Sequence, residues 1–199
     1  DLGSHITVKI NAPQLLKKEL TLDAKKPDNC NGFYLLGGGV GDCYQQIEEH
    51  YQITRNCLEI IKEFEVPVHI LTKSTLIKRD IDILKQINKH TPLIVSFSLS
   101  TADNTLAQIL EPGASPAKER LQTLSFFKEH GIKSGIYLMP VIPYITDTTE
   151  ALSNSLQAIQ KHGADFVIFG GLTLKEGLQK DYFMNALQQK FPEKAAQYQ

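Results

Sequence analysis

Three consecutive glycines, Gly37, Gly38 and Gly39, stand just ahead of Asp42, Cys43 and Tyr44, and are the first residues here whose types suggest chemistry. A backbone without Cβ atoms brings amides and carbonyls directly against a ligand, such as an ammonium group or an adenine edge. The same glycines also suit a turn that only lets the chain leave a strand, and the residues alone weigh the two readings evenly. Lys73, set between Thr72 and Ser74 after an apolar run, suits carboxylate binding, a Schiff base with a carbonyl substrate, or simple solvent contact. In SFSLS, the two-residue period of a strand puts Ser96, Ser98 and Ser100 on one face. Hydroxyls on a strand face that should point into a core favour a ligand, with small layer-filling side chains as the plainer alternative.

These residues need elements to position them, and the sequence alternates in a regular way. INAPQLLKKEL, ITRNCLEIIKEF, RDIDILKQINK, SPAKERLQTLSFFKEHG, DTTEALSNSLQAIQKHG and LKEGLQKDYFMNALQQKF read as helices. In the fourth of these, Ser115 is the expected N-cap, Pro116 the first helical residue and Gly131 the close. GFYLLGG, VPVHILTKS, PLIVSFSLS, IKSGIYLMPVIP and ADFVIFGGL read as strands, apolar on both faces as a covered parallel sheet requires. Strand–helix units of this kind make parallel βα repeats. A doubly wound sheet would open with a strand carrying a phosphate-binding glycine motif, and these units show none. The expected fold is therefore α/β, a partial parallel TIM-type barrel, as a single domain over residues 1–199.

Ligands in such folds bind at the carboxyl ends of the strands. Those ends collect Gly37–Gly39 with Asp42 and Tyr44; Thr72, Lys73 and Ser74; Ser96, Ser98, Ser100 and Thr101; Met139, Pro140 and Pro143; and Gly170 with Gly171. They are small, hydroxylated or singly charged groups rather than a ring of acids, so no metal site of the His–carboxylate kind is expected. His69 lies within a strand, and His50, His90, His130 and His162 fall near helix ends, where capping or solvation accounts for them.

Composition narrows the classes further. The chain has 199 residues, 42% of them hydrophobic, and a formal net charge of −1, which gives no basic stripe for duplex nucleic acid. No apolar run approaches the roughly 20 residues of a membrane span. Three cysteines are an odd number and form no disulfide framework, which points to a reducing, cytoplasmic setting.

Taken together, HILTKSTLIKRDIDIL, SFSLSTADNTLAQILEPGASPAKERLQTL and GIYLMPVIPYITDT resemble radical S-adenosylmethionine proteins of the spore photoproduct lyase-like group. GGGVGDCYQQIEEHYQITRNCLEII resembles the second-strand region of the same group, so the resemblance runs from about Val8 to Phe191. It implies a partial (β/α)₆ barrel that binds S-adenosylmethionine across its strand ends. It also implies a [4Fe–4S] cluster that cleaves the cofactor to methionine and a 5′-deoxyadenosyl radical, which abstracts hydrogen from a substrate. The resemblance gives Gly37, Gly38 and Gly39 to the methionine amino group and Lys73 to its carboxylate. Ser98 or Ser96 would meet the carboxylate or ribose, Arg120 would neutralise the carboxylate, and Met139 and Pro140 would lie near the adenine. A reductant such as flavodoxin or ferredoxin is implied as a partner, and DNA as a substrate follows from the resemblance alone.

The chain departs from that family in two places. GGGVGDCYQ differs from the TDPYQ-like continuation of the group, which bears on the geometry of amine binding. A cluster of this kind takes three cysteines from a CxxxCxxC-type loop after the first strand, and Cys30, Cys43 and Cys57 are each a dozen or more residues apart. None of the three is assigned as a ligand. The first strand and the cluster loop are expected upstream of Asp1, where the chain begins without an initiator Met. Two other readings remain at this point: a cluster-free barrel lyase using Lys73, and a non-catalytic S-adenosylmethionine-binding module.

Overall fold

Hydrophobic periodicity and turn chemistry account for most of the elements seen in the computed structural model, which describes residues 6–23, 32–38 and 41–198. Gly39 and Cys30, both singled out from the sequence, lie outside the described residues. Two compact units are distinguished, Asp1–Ile94 and Val95–Gln199.

The first unit holds helix α1 (Ala12–Asp23), strand β1 (Tyr34–Leu36), helices α2 (Glu48–Tyr51) and α3 (Ile53–Phe64), strand β2 (Val68–Thr72) and helix α4 (Ile81–His90). β1 and β2 pair in parallel, Tyr34 opposite Val68 and Leu36 opposite Ile70. α3 buries Cys57, Leu58 and Ile61 on its apolar face, as their spacing of three and four residues dictates. It ends at Glu65, whose left-handed φ of 49° closes the helix with a backbone N–H to Ile61 and Lys62 carbonyls. The stretch expected to open α4 instead begins as a 3₁₀ turn, Thr75–Asp80, capped by Ser74 Oγ accepting from the Leu76 amide at 3.2 Å. The tighter turn presents Arg79 and Asp80 to ionic partners described below.

The second unit takes most of strand β3 (Leu93–Leu99), then helices α5 (Asn104–Leu110) and α6 (Ala117–Glu129) and strand β4 (Lys133–Val141). It continues with helix α7 (Thr149–Lys161), strand β5 (Val167–Gly171) and helices α8 (Leu178–Lys190) and α9 (Pro192–Ala195). The short helices α2, α5 and α9 carry too few turns to leave a periodic signal in the sequence. α6 starts one residue later than expected: Pro116, at ψ 142°, is the extended residue before the helix rather than its first helical one. Gly131 closes α6 at φ 71° as its type predicts.

The strands follow one another in the sheet in chain order, β1-β2-β3-β4-β5. That order is the one a (β/α) barrel uses; a doubly wound sheet would reverse direction at a switch point. β4 and β5 pair in parallel with one irregularity, because Leu138 opposes Phe169 and Val141 opposes Gly171. Met139 and Pro140 together fill the place opposite Gly170, a bulge of the kind that admits proline within a sheet. A Cβ on Gly170 would stand 3.0 Å from Met139 Cε, so the bare backbone at this position makes room for the bulged methionine.

Candidate functional site

In the first unit the glycine segment leaves β1 and turns sharply. Gly37 and Gly38 both take φ of +80°, and Gly38 bridges back to Gly41. A Cβ on Gly37 would fall 2.1 Å from the Leu71 carbonyl oxygen, so β2 itself demands glycine here. At Gly38 the nearest atom is Leu71 Cδ2 at 3.3 Å, a side chain able to give way. Close packing thus accounts for Gly37, while Gly38 is exposed and owes its type to its backbone angle.

Asp42 ties this turn to the end of β2. Its Oδ1 accepts from the Tyr44 amide at 2.8 Å and the Thr72 hydroxyl at 2.6 Å, and its Oδ2 accepts from the Lys73 amide at 2.6 Å. Thr72 Oγ1 in turn accepts from the Ser74 amide at 3.0 Å. The backbone carrying Lys73 is therefore fixed, and the half-buried lysine side chain extends from a rigid base. Asp42 was legible only as an acid near a strand end; its three bonds are a structural finding.

Behind this rim lies an ionic network that the sequence did not announce. Tyr44, 1% exposed, donates to Asp80 Oδ2 at 3.1 Å. Asp80, fully buried, accepts from Arg55 Nη1 and Arg79 Nε, each at 2.9 Å. Arg55 continues to Asp82 at 2.7 Å, and Arg79 reaches Glu48 at 3.0 Å. Burial, then the Asp80 charge, raises the Tyr44 phenol well above its ordinary value. Hydrogen bonds from Arg55 hold Asp82 down to about 2. The RDID segment is thus a fastening between α4, α3 and the turn after β1.

In the second unit Ser96, Ser98, Ser100 and Thr101 are all buried, so β3 carries hydroxyls where a barrel strand usually carries aliphatic side chains. Ser98 Oγ donates to the Met139 carbonyl at 3.1 Å, joining β3 to the bulge in β4. The Met139–Pro140 peptide is cis. Arg120, 1% exposed, donates from Nη1 to the Ser98 carbonyl and from Nη2 to Glu111 Oε2 at 2.6 Å. The resemblance gives Arg120 to a cofactor carboxylate; its two terminal nitrogens each have a protein acceptor, and its Nε is buried with no hydrogen-bond partner among the described residues. Glu111 is the partner that explains the spacing of LEPGASPAKER, a role that its place in the motif does not reveal.

The residues fit the two parts of the implied cofactor system differently. A zwitterionic nucleoside needs hydroxyls and carbonyls at a strand end, and the second unit offers them. Ser100 Oγ is buried with no hydrogen-bond partner among the described residues, as expected of a group that awaits a ligand or water. An iron–sulfur cluster does not fit the described residues, among which no three His, Cys, Asp or Glu side chains converge. Burial, reinforced by Asp42, keeps the Cys43 thiol far above its ordinary range. Burial together with Glu48 pushes Cys57 up to about 11, so without a metal to displace the proton both are thiols. Burial lowers His69 below the ordinary histidine value, consistent with a neutral core side chain. Among the described residues, no helix is long and apolar enough to cross a membrane.

Comparison with known proteins gives these features a frame. The family model described as the radical SAM superfamily matches residues 7–156. An uncharacterized protein of Mycobacterium tuberculosis is 29% identical over 198 residues, covering 100% of this chain and 56% of that protein. One from Methanocaldococcus jannaschii is 29% identical over 191 residues, covering 96% of this chain and 65% of its own length. The chain thus spans a little over half the length of these relatives. Streptococcus suis SuiB bound to S-adenosylmethionine superposes with a TM-score of 0.65 at 17% identity, over 94% of this chain and 43% of SuiB. Spore photoproduct lyase complexed with dinucleoside spore photoproduct superposes at 0.64 and 15% identity, over 96% of this chain and 55% of the lyase. At these identities the likeness is one of fold.

Proposed function

Because this chain belongs to the radical SAM superfamily, we propose that it is the body of an enzyme that binds S-adenosylmethionine at its strand ends and uses it to abstract hydrogen from a substrate. The observation that carries the reading is the buried hydroxyl face of β3, Ser96 and Ser98, next to the bulged Met139–Pro140 segment of β4. Apolar packing alone gives no reason for such a face. The family implies a [4Fe–4S] cluster, which, if held by residues outside those described, would supply the electron for cofactor cleavage. Its ligands are proposed to come from outside the described residues, among which no three ligating side chains converge.

The assigned roles follow the chemistry of each group. The glycine segment is given the methionine amino group by the family resemblance, through Gly37 and Gly38 among the described residues, with Gly39 outside them. Lys73, on a strand end pinned by Asp42, meets the methionine carboxylate as a point charge. Ser98 or Ser96 bonds the ribose or carboxylate, and Met139 and Pro140 border the adenine. A one-electron protein reductant of the flavodoxin or ferredoxin type is the proposed partner. SuiB has been seen with its precursor peptide SuiA, and the lyase with a dinucleoside photoproduct. A net charge of −1 gives no general attraction for a polyanion, so DNA as a substrate rests on the family resemblance alone.

Equilibrium binding of S-adenosylmethionine by titration calorimetry tests the reading. Binding that weakens about tenfold or more in Lys73→Ala and Ser98→Ala, each of which removes a polar contact, supports it. A wild-type chain that binds no S-adenosylmethionine, or variants that bind unchanged, overturns it. Borohydride treatment with carbonyl compounds is expected to leave Lys73 unlabelled; a trapped adduct there would instead establish the Schiff-base chemistry.

A further inference from the structure

We propose that Glu111 and Arg120 are a positioning pair that sets the β3–β4 rim, acting on S-adenosylmethionine through Ser98 and the Met139 carbonyl rather than by touching its carboxylate. The inference rests on the reading that this chain binds that cofactor. Three contacts make one relay. Glu111 Oε2 accepts from Arg120 Nη2 at 2.6 Å, Arg120 Nη1 donates to the Ser98 carbonyl, and Ser98 Oγ donates to the Met139 carbonyl at 3.1 Å. The planar guanidinium makes the two bonds in fixed mutual geometry, so it fixes where the Ser98 backbone sits relative to α5, which ends at Leu110.

Stability alone does not explain the pair. Arg120 and Glu111 side chains are 1% and 6% exposed, and removing two charges from water costs about as much as their attraction returns. Apolar side chains of similar size would hold α5 and α6 together as well. What apolar side chains cannot do is donate to the Ser98 carbonyl. That carbonyl sits one residue from the end of β3, where the strand gives way to the buried Ser100 and Thr101. Each terminal nitrogen of Arg120 already has a protein acceptor, and the side chain is 1% exposed. Its Nε is buried with no hydrogen-bond partner among the described residues, so contact with the rim must be separated by experiment from contact with the carboxylate.

The test uses two ligands and one measurement free of ligand. S-adenosylmethionine and 5′-methylthioadenosine share the adenine and ribose, and only the first carries the amino-acid group. Titration of both into the wild type, Arg120→Lys and the double variant Glu111→Met/Arg120→Met reads whether the arginine acts on the rim or on the carboxylate. Positioning predicts that both ligands lose affinity by a similar factor, about tenfold, in either variant. A loss confined to S-adenosylmethionine means direct carboxylate contact and overturns the proposal. Unchanged affinity for both means a merely structural pair and also overturns it. Amide hydrogen exchange at residues 98–101 and 139–142 decides the matter independently: the proposal requires faster exchange there in both variants, and unchanged protection refutes it. If the wild type binds neither ligand, the functional reading fails, and the exchange result still judges the relay.

Discussion

At the scale of single residues, glycine and cysteine show how one residue type holds different reasons. Gly37 and Gly38 share a φ of +80°, yet only at Gly37 would a Cβ meet backbone, at 2.1 Å from the Leu71 oxygen. Gly37→Ala is therefore expected to cost about 2–4 kcal/mol, combining strain with forced separation of β1 from β2. Gly38→Ala bears only the backbone term, about 1 kcal/mol. Urea midpoints of the two variants against wild type measure the difference, and equal costs would show that the approach to Leu71 does not matter. Cys57 makes a statement about pH. Its folded value of about 11 lies above the ordinary 9.0, so between those values the unfolded chain loses a proton that the native one keeps. Native stability from this thiol is complete below pH 9 and declines by about 1.4 kcal/mol per pH unit as pH rises toward 11. Unfolding curves at pH 8, 9 and 10 for wild type and Cys57→Ala isolate that slope; parallel curves would mean that the thiol titrates normally.

At the scale of elements, the principal strands and helices were legible because apolar periodicity is local. ITRNCLEIIKEF gives α3 over the very residues it marks, and SFSLS puts its buried serines in and just after β3. Two kinds of feature were not legible. Short helices such as α5 lack the length for a period, and Pro116 fell on the other side of a helix boundary because proline suits both positions. The candidate site was half legible for a related reason. Lys73, Ser98 and Met139 announce themselves by type at strand ends, whereas the roles of Asp42 at the Lys73 amide, of Glu111 at Arg120 and of Asp80 at Tyr44 are recognisable only from their contacts. Asp80 is the sharpest case. It joins the 3₁₀ turn before α4 to Arg55 on α3 and to Tyr44 in the turn after β1. Removing the carboxylate leaves Arg55 and Arg79 sharing what remains, so Asp80→Ala is expected to cost about 3–5 kcal/mol. Asp82→Ala, removing an exposed partner of the same arginine, is expected to cost under about 1 kcal/mol. Thermal unfolding of the pair checks this ordering, and a reversed order would deny the network its anchoring role.

At the scale of the whole molecule, the distribution of cysteine separates cofactor binding from cluster binding. A thiol becomes a ligand only as thiolate, and it needs two more within reach of one cluster. Burial beside Asp42 and Glu48 holds Cys43 and Cys57 as thiols, so a cluster would have to displace their protons. The described residues fail the second condition, since no three ligating side chains converge. The rim residues of β3 and β4 face no such obstacle. The two capacities are therefore expected to come apart experimentally in residues 1–199, with S-adenosylmethionine bound but iron and sulfide near zero after anaerobic reconstitution. The M. jannaschii relative, of which this chain matches 65%, is proposed to bind about four irons per chain under the same treatment. Iron bound by residues 1–199 at that level, and lost in Cys43→Ser, would show that this thiol is a ligand. Iron absent from both proteins would remove the cluster from the proposal and leave S-adenosylmethionine binding as the function that the β3–β4 rim supports.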